Sequence, residues 1–205
     1  MKAPNLNLYI VDDNKGVRES LATLFIARHY RVQAFESGEA FLANAELQSC
    51  GCVLLDIKMD PGMSGLQVFD ELHALKSPLL AILLSTYLSV PIAANYTRKG
   101  AFDCIEKGAD ELLLIERVRQ AMESAKSLSE QLMSKTDSLK RWETLTPRQR
   151  DVARVDRQGL LNKQTADKLG IDTRTVETHK THIYKKLGLR SATALDRYMR
   201  ENDID

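Results

Sequence analysis

At 205 residues the chain has room for one large or two small domains. A hydrophobic share of 43% and a charged share of 28% are ordinary for a soluble globular protein, and no apolar run approaches the roughly 20 residues that span a bilayer. The net charge of +1 hides an asymmetry: residues 1–125 hold 12 Lys and Arg against 16 Asp and Glu, residues 144–200 hold 13 against 6, so only the second half is suited to meet a polyanion.

The opening Met1-Lys2-Ala3-Pro4-Asn5 is not followed by a signal-peptide core, which makes the cytoplasm the expected compartment, with no membrane association. Leu8 to Val11 reads as a first strand with Asp12-Asp13-Asn14 as the turn after it. Val17, Leu21, Leu24 and Phe25 have helical spacing, and that helix is expected to end near Arg28-His29-Tyr30. Val32 to Phe35 is a second strand, and Ser37 caps a short helix. Cys52 to Leu55 is a third, followed by a loop with Pro61-Gly62 and Gly65, then a helix through Leu66, Phe69, Leu72 and Leu75. Leu79 to Leu84 is the fourth strand, Pro91 to Arg98 a helix closed by Gly100, and Phe102 to Ile105 the fifth strand before a helix from Glu111. Five alternations of strand and helix predict an α/β doubly wound, five-stranded parallel sheet with helices on both faces.

That last helix has no clear stop. Val118, Ala121, Ala125, Leu128, Leu132, Leu139 and Trp142 keep a three-and-four spacing, and no Gly or Pro falls between Gly108 and Pro147. The stripe either pairs as a short coiled coil or packs on its own domain. Thr146-Pro147 starts the first of four short helices, giving a C-terminal all-α four-helix domain: one to about Gln158, one from Asn162 to Leu169, one from Thr173 to Leu187, and one from Ser191 to about Arg200. A turn around Gly170-Ile171-Asp172 before a longer basic helix is a helix-turn-helix pattern. The expected domains are therefore 1–122, a helical linker 123–142, and 143–205. Cys50, Cys52 and Cys104, odd in number and without a His cluster, fit buried thiols better than a disulfide frame or a zinc site.

The chemistry lies where the apolar runs stop. Val53-Leu54-Leu55 ends in Asp56, the first strand in Asp12-Asp13, the fourth in Ser85-Thr86 and the fifth in Glu106-Lys107. Ligands of open parallel sheets bind outside the carboxyl ends of the strands, so these groups are expected in one crevice. Crowded carboxylates call for a cation, and hard oxygens suit magnesium. A carboxylate that accepts a phosphoryl group needs that charge offset together with positioned cations, for which Lys107 is available, while Ser85 can donate to a phosphate oxygen.

Val11-Asp12-Asp13, Asp56 with Met59 and Pro61-Gly62-Met63-Ser64-Gly65, Ser85 and Lys107 resemble a response-regulator receiver domain from Leu6 to about Met122. The resemblance implies a flavodoxin-like strand order 2-1-3-4-5 and phosphate accepted on Asp56 from a sensor histidine kinase. Magnesium would be held by Asp12, Asp13, Asp56 and the Lys58 carbonyl, with Ser85 as switch hydroxyl and Lys107 as the family's lysine. Thr86 is the adjacent alternative for the switch, although Val90-Pro91 downstream favours Ser85. Three positions depart from the family pattern: the extra Asp60, Cys104 where an aromatic switch usually sits, and Gly108 where the family has a proline with a cis peptide.

Leu145-Thr146-Pro147-Arg148-Gln149-Arg150, Asn162-Lys163, Thr175-Val176-Glu177-Thr178-His179 and Lys185-Lys186-Leu187 resemble the LuxR/NarL-type DNA-binding domain, and the whole chain resembles the FixJ-like subgroup that joins it to a receiver. Asp156 stands where that family carries an apolar or small residue. Val176, Ile183 and Leu187 form a buried stripe, which turns Glu177, Thr178 and Thr181 toward base edges in the major groove of a double-stranded operator. Arg174, Lys180 and Lys185 are placed for phosphates, and Asn162, Lys163, Thr173 and Thr175 complete the expected contact set. Glu177 can instead pair with Arg174 or Lys180 along the helix, and His179 and His182 fit packing or phosphate contacts better than metal. The expectation is a phosphorylation-controlled transcription regulator that homodimerises when phosphorylated. Its rivals are an aspartate-nucleophile phosphatase, for which a helix-turn-helix has no evident use, and a degenerate receiver that regulates without phosphate.

Overall fold

The computed structural model describes residues 6–87 and 89–205; the opening Met1–Asn5, on which the reading of the N-terminus rests, lies outside them. Two compact units divide between Glu130 and Gln131. In the first, β1 (Asn7–Val11), α1 (Lys15–Ile26), β2 (Arg31–Phe35), α2 (Gly38–Asn44), β3 (Gly51–Asp56), α3 (Gly65–Ala74), β4 (Leu79–Ser85), α4 (Val90–Arg98) and β5 (Asp103–Glu106) precede α5 (Glu111–Glu143), whose C-terminal part belongs to the second unit. The sheet is parallel with order β2-β1-β3-β4-β5, as the resemblance implied.

Its continuous apolar strands follow from burial on both faces. Tyr9, Val11, Val53, Leu55, Ala81 and Leu83 face one core with Phe41, Val68, Phe69 and Tyr96 from α2, α3 and α4. Leu8, Ile10, Cys52, Leu54, Ile82 and Leu84 face the other with Phe25 of α1 and Val118 and Ala121 of α5. Every residue of β1 and β3 is buried, so neither strand can slip by one place without exchanging its two faces.

Several boundaries differ from the sequence reading. The ladder continues past the last apolar residue: Asp56 pairs with Leu84 and Ser85 with Glu106, so both polar groups belong to strands. Helix α1 stops at Ile26, earlier than expected, because His29 takes a left-handed φ of 64° and Tyr30 returns its N–H to the Phe25 carbonyl at 3.1 Å.

The second unit packs α6 (Pro147–Asp156), α7 (Asn162–Leu169), α8 (Thr173–Leu187) and α9 (Ala192–Glu201) around Trp142, Leu145, Val152, Val176, Ile183, Leu187, Leu195 and Met199. The apolar stripe of α5 is divided. Val118, Ala121 and Ala125 are buried and Trp142 joins the second core, while Leu132 and Leu139 are exposed.

Candidate functional site

Strand register assembles the crevice. The Cα partners Val11–Leu55, Asp56–Leu84 and Ser85–Glu106 end four strands along one sheet edge, so Asp12, Asp56, Ser85 and Lys107 follow as neighbours. Lys107 Nζ lies 2.7 Å from Asp12 Oδ2 and 2.8 Å from Asp56 Oδ2, and both carboxylates are buried. Exposed Asp13 completes a cluster in which carboxylate oxygens of Asp12, Asp13 and Asp56 lie within 4.8 Å of one another. Three acids facing one ammonium leave an excess of negative charge beside a buried oxygen, which is the condition under which hard-cation binding is favourable. This donor set therefore fits magnesium.

Burial pushes the Asp56 carboxyl above its ordinary value; Lys107 pulls it partly back and the charge of Asp12 adds to the rise. Burial alone would lower Lys107, but its hydrogen bonds to Asp12 and Asp56 outweigh this and raise it, so the amine stays charged.

The Asp12–Asn14 turn leaves its acids available, because the helix cap falls to another residue. Asn14 Oδ1 accepts from the N–H groups of Gly16 and Val17 at 2.9 and 3.2 Å. Arg18 Nη1 braces the turn by donating to the Asp12 carbonyl at 2.7 Å. The extra Asp60 is folded into the rim, its N–H donating to Asp13 Oδ2 at 3.1 Å, and Glu39 Oε1 holds the same loop by accepting from Met63 N–H at 2.7 Å. Lys58 is exposed, and its N–H points to Asp56 Oδ1 at 3.3 Å.

Ser85 is buried while Thr86 is exposed. The Ser85 hydroxyl is engaged with its own loop, donating to the Tyr87 carbonyl at 2.9 Å and accepting from Tyr87 N–H at 3.2 Å. Cys104 is half-buried against the core and Gly108 sits at φ 95° with open space around it.

The second unit presents a helix pair joined by a tight turn. Gly170 ends α7 in the left-handed region at φ 64°, and Asp172 Oδ1 caps α8 by accepting from Thr175 N–H at 2.9 Å. Val176, Ile183 and Leu187 are buried in one stripe, which leaves Glu177, Thr178, Thr181 and Lys185 exposed. Arg174, Thr173 and Lys163 are exposed too, and Thr175 and Asn162 are half-buried.

Lys180 does not share that outward aspect. Its ammonium lies 2.7 Å from Oδ1 of Asp156, which is buried on α6, and it donates to Asn162 Oδ1 at 2.9 Å. The contact with Asp156 is ionic rather than an aligned hydrogen bond, whereas Tyr184 donates its hydroxyl to Asp156 Oδ2 at 2.5 Å. The acid that departs from the family pattern is thus matched by two groups of α8. Sequence reasoning missed Asn14, Arg18, Glu39, Asp156 and Tyr184 as parts of the two sites; only Asp156 carried a signal, as a charge where the LuxR/NarL-type pattern has an apolar or small residue.

Comparison with known proteins finds two family matches along the chain. Residues 8–119 match the response regulator receiver domain, and residues 143–199 match the luxR family of bacterial regulatory proteins. The chain is 33% identical to the C4-dicarboxylate transport transcriptional regulatory protein DctR of Rhodobacter capsulatus, over 94% of this chain and 98% of that one. It is 34% identical to the transcriptional regulatory protein FixJ of Rhizobium meliloti over 93% of each. The solved response regulator StyR superposes with a TM-score of 0.84 at 27% identity, over 95% of this chain and 98% of that one. The chain belongs to the response-regulator family of two-component systems, in the branch that joins a receiver domain to a LuxR-type DNA-binding helix-turn-helix and regulates transcription.

Proposed function

We propose that Asp56 accepts a phosphoryl group from the phosphohistidine of a sensor kinase, and that the modified receiver controls operator binding by α8. The observation that carries this reading is the buried Asp56 carboxylate at the end of the central strand, 2.8 Å from Lys107 and beside Asp12 and Asp13, in a chain that also holds a helix-turn-helix. An Asp56 oxygen forms the new P–O bond as the P–N bond to the kinase histidine breaks. Lys107 holds its charge against one transferred oxygen. Asp12, Asp13, Asp56 and the Lys58 carbonyl would hold magnesium, which when bound supplies positive charge to the phosphoryl oxygens. To donate to a phosphate oxygen, the Ser85 hydroxyl must give up its bond to the Tyr87 carbonyl, which ties the β4–α4 loop to the chemistry.

In the second unit, Glu177, Thr178 and Thr181 face base edges, while Arg174, Lys185, Lys163 and Thr173 position the helix on phosphates. Thr175 gives its hydroxyl to Asp172 Oδ2 at 2.7 Å and so acts through the cap. Phosphorylation favours a homodimer whose two recognition helices meet half-sites about one helical turn apart. Residues 1–122 are the receiver, 123–142 the linker, whose exposed Leu132 and Leu139 are available for pairing, and 143–205 the effector. The cytoplasm is where kinase and DNA are both within reach.

The degenerate alternative rests on Asp60, Cys104 and Gly108, and the meeting of Asp12, Asp56 and Lys107 speaks against it. Adding beryllofluoride and magnesium to the full chain should drive dimerisation and tighter operator binding, and Asp56→Asn should abolish both. An Asp56→Asn chain that still responds to beryllofluoride would overturn the assignment.

A further inference from the structure

The side chains around Lys180 form a continuous polar chain across three helices of the second unit. It starts at buried Asp156 on α6, passes through the Lys180 ammonium at 2.7 Å and the Asn162 amide at 2.9 Å, and ends at Glu177, whose Oε1 accepts from Asn162 Nδ2 at a long 3.4 Å. The orientation of Asn162 is fixed by chemistry: its oxygen faces an ammonium and its NH₂ faces a carboxylate, and the reverse placement would oppose like partners. Asp156 is only 1% exposed at its side chain and Lys180 20%, so the ammonium is sequestered by a charge that cannot reach DNA. Tyr184 seals the buried end; burial and the hydrogen bond to Asp156 both raise its hydroxyl pKa, which keeps that proton in place as a donor.

We propose that Asp156 is a positioning residue for sequence readout: through Lys180 and Asn162 it fixes the Glu177 carboxylate as a base-edge acceptor, and Lys180 itself makes no phosphate contact. A carboxylate in the major groove accepts from the amino group of cytosine, so the base pair concerned is one that offers that donor. A free glutamate on an exposed helix face samples several rotamers, and a tethered one presents its oxygens in one place. The proposal rests on α8 being the DNA-reading helix.

The test uses the full chain with magnesium and beryllofluoride and a library of randomised duplexes, followed by anisotropy titrations on the selected duplex over a range of salt. The pair replacement Asp156→Leu/Lys180→Met removes both charges without stranding either, a change that buried ion pairs often tolerate. It should flatten preference on the order of 10-fold at the one position that Glu177→Ala also flattens, leave the other positions intact, and leave the salt slope at its wild-type value. Adding Glu177→Ala to the pair should cause no further loss, because the two changes act on one contact.

Asp156→Asn keeps an acceptor for Tyr184 while releasing Lys180. It should flatten the same position but steepen the salt slope by about 0.9, as the freed ammonium reaches a phosphate. This variant decides the matter should circular dichroism show that the pair replacement is unfolded. The proposal is overturned if the pair replacement lowers the salt slope by about one, or if the position read by Glu177 keeps its preference in either variant. A wild-type chain that selects no motif overturns the DNA reading itself, and this proposal with it.

Discussion

Each unit buries a carboxylate against a lysine, at nearly the same distance: Lys107 stands 2.8 Å from Asp56, and Lys180 2.7 Å from Asp156. What differs is the company. In the crevice one ammonium is shared by Asp12 and Asp56, with Asp13 close by, so negative charge is in excess. In the effector one ammonium faces one carboxylate, whose second oxygen is taken by Tyr184. The first arrangement can still gain by taking up a cation. The second is complete. Local charge balance, rather than burial or the presence of an ion pair, separates the two carboxylates.

The comparison breaks most visibly when the lysine is removed from each pair. Lys180→Met strands Asp156 in the core and should cost the second unit about 3–5 kcal/mol, because a buried charge loses its counter-ion. Lys107→Met should cost the first unit markedly less in magnesium, since the crevice carboxylates keep another source of positive charge, but it should abolish the beryllofluoride response. Trp142, the single tryptophan, is packed in the second core and reports that unit's urea unfolding, while circular dichroism follows both. Equal stability losses in the two variants would mean that the pairs are equivalent after all.

A smaller effect sharpens the contrast through pH. The Asp56 carboxyl is raised in the folded chain from an ordinary value of 3.8, so its charged form opposes folding. The stability linked to it is fully present below that ordinary value and is lost as pH rises through the folded value. Without magnesium at neutral pH, Asp56→Asn should therefore raise the melting temperature of the first unit by a few degrees. The advantage should vanish in acid, where wild-type Asp56 is already protonated. A variant less stable than wild type at neutral pH would show that the Lys107–Asp56 pair is net-favourable.

The smallest effects test whether the units are energetically separate. Ser64 with Gln67 and Thr146 with Gln149 form matching capping boxes at the starts of α3 and α6. Each Ser or Thr to Ala change should cost about 1 kcal/mol. Only Thr146→Ala should shift the Trp142 transition, and a shift with Ser64→Ala would show coupling between the units.

The receiver crevice was legible because strand period and strand ends are local properties. An apolar run that stops at Asp56 or before Lys107 announces its last residue, and parallel topology brings such ends together. The stripe of Val176, Ile183 and Leu187 was legible for the same reason. Lys180 was not, because a basic residue on a recognition helix looks outward until its partner is known, and Asp156 belongs to a different helix. Glu39 and Met63 likewise meet across 24 positions of chain, with no periodicity to connect them. Asn14 took the capping role that the neighbouring acids could equally have filled. Long-range polar pairing leaves little trace in one sequence, since either partner alone resembles a solvated surface group.

Gly65 has a consequence for how this family can vary. A Cβ there would stand 2.0 Å from the Asp56 carbonyl oxygen, and Gly65 N–H donates to the Ile57 carbonyl at 3.1 Å, so the start of α3 is clamped to the end of β3. Residues 58–64 are an arc whose two feet cannot separate. Asp60 within that arc is tied to the rim by its N–H bond to Asp13 Oδ2, and Asp56 beneath stays paired in the ladder with Leu84. The arc can therefore vary in length while the carboxylates beneath it keep their places.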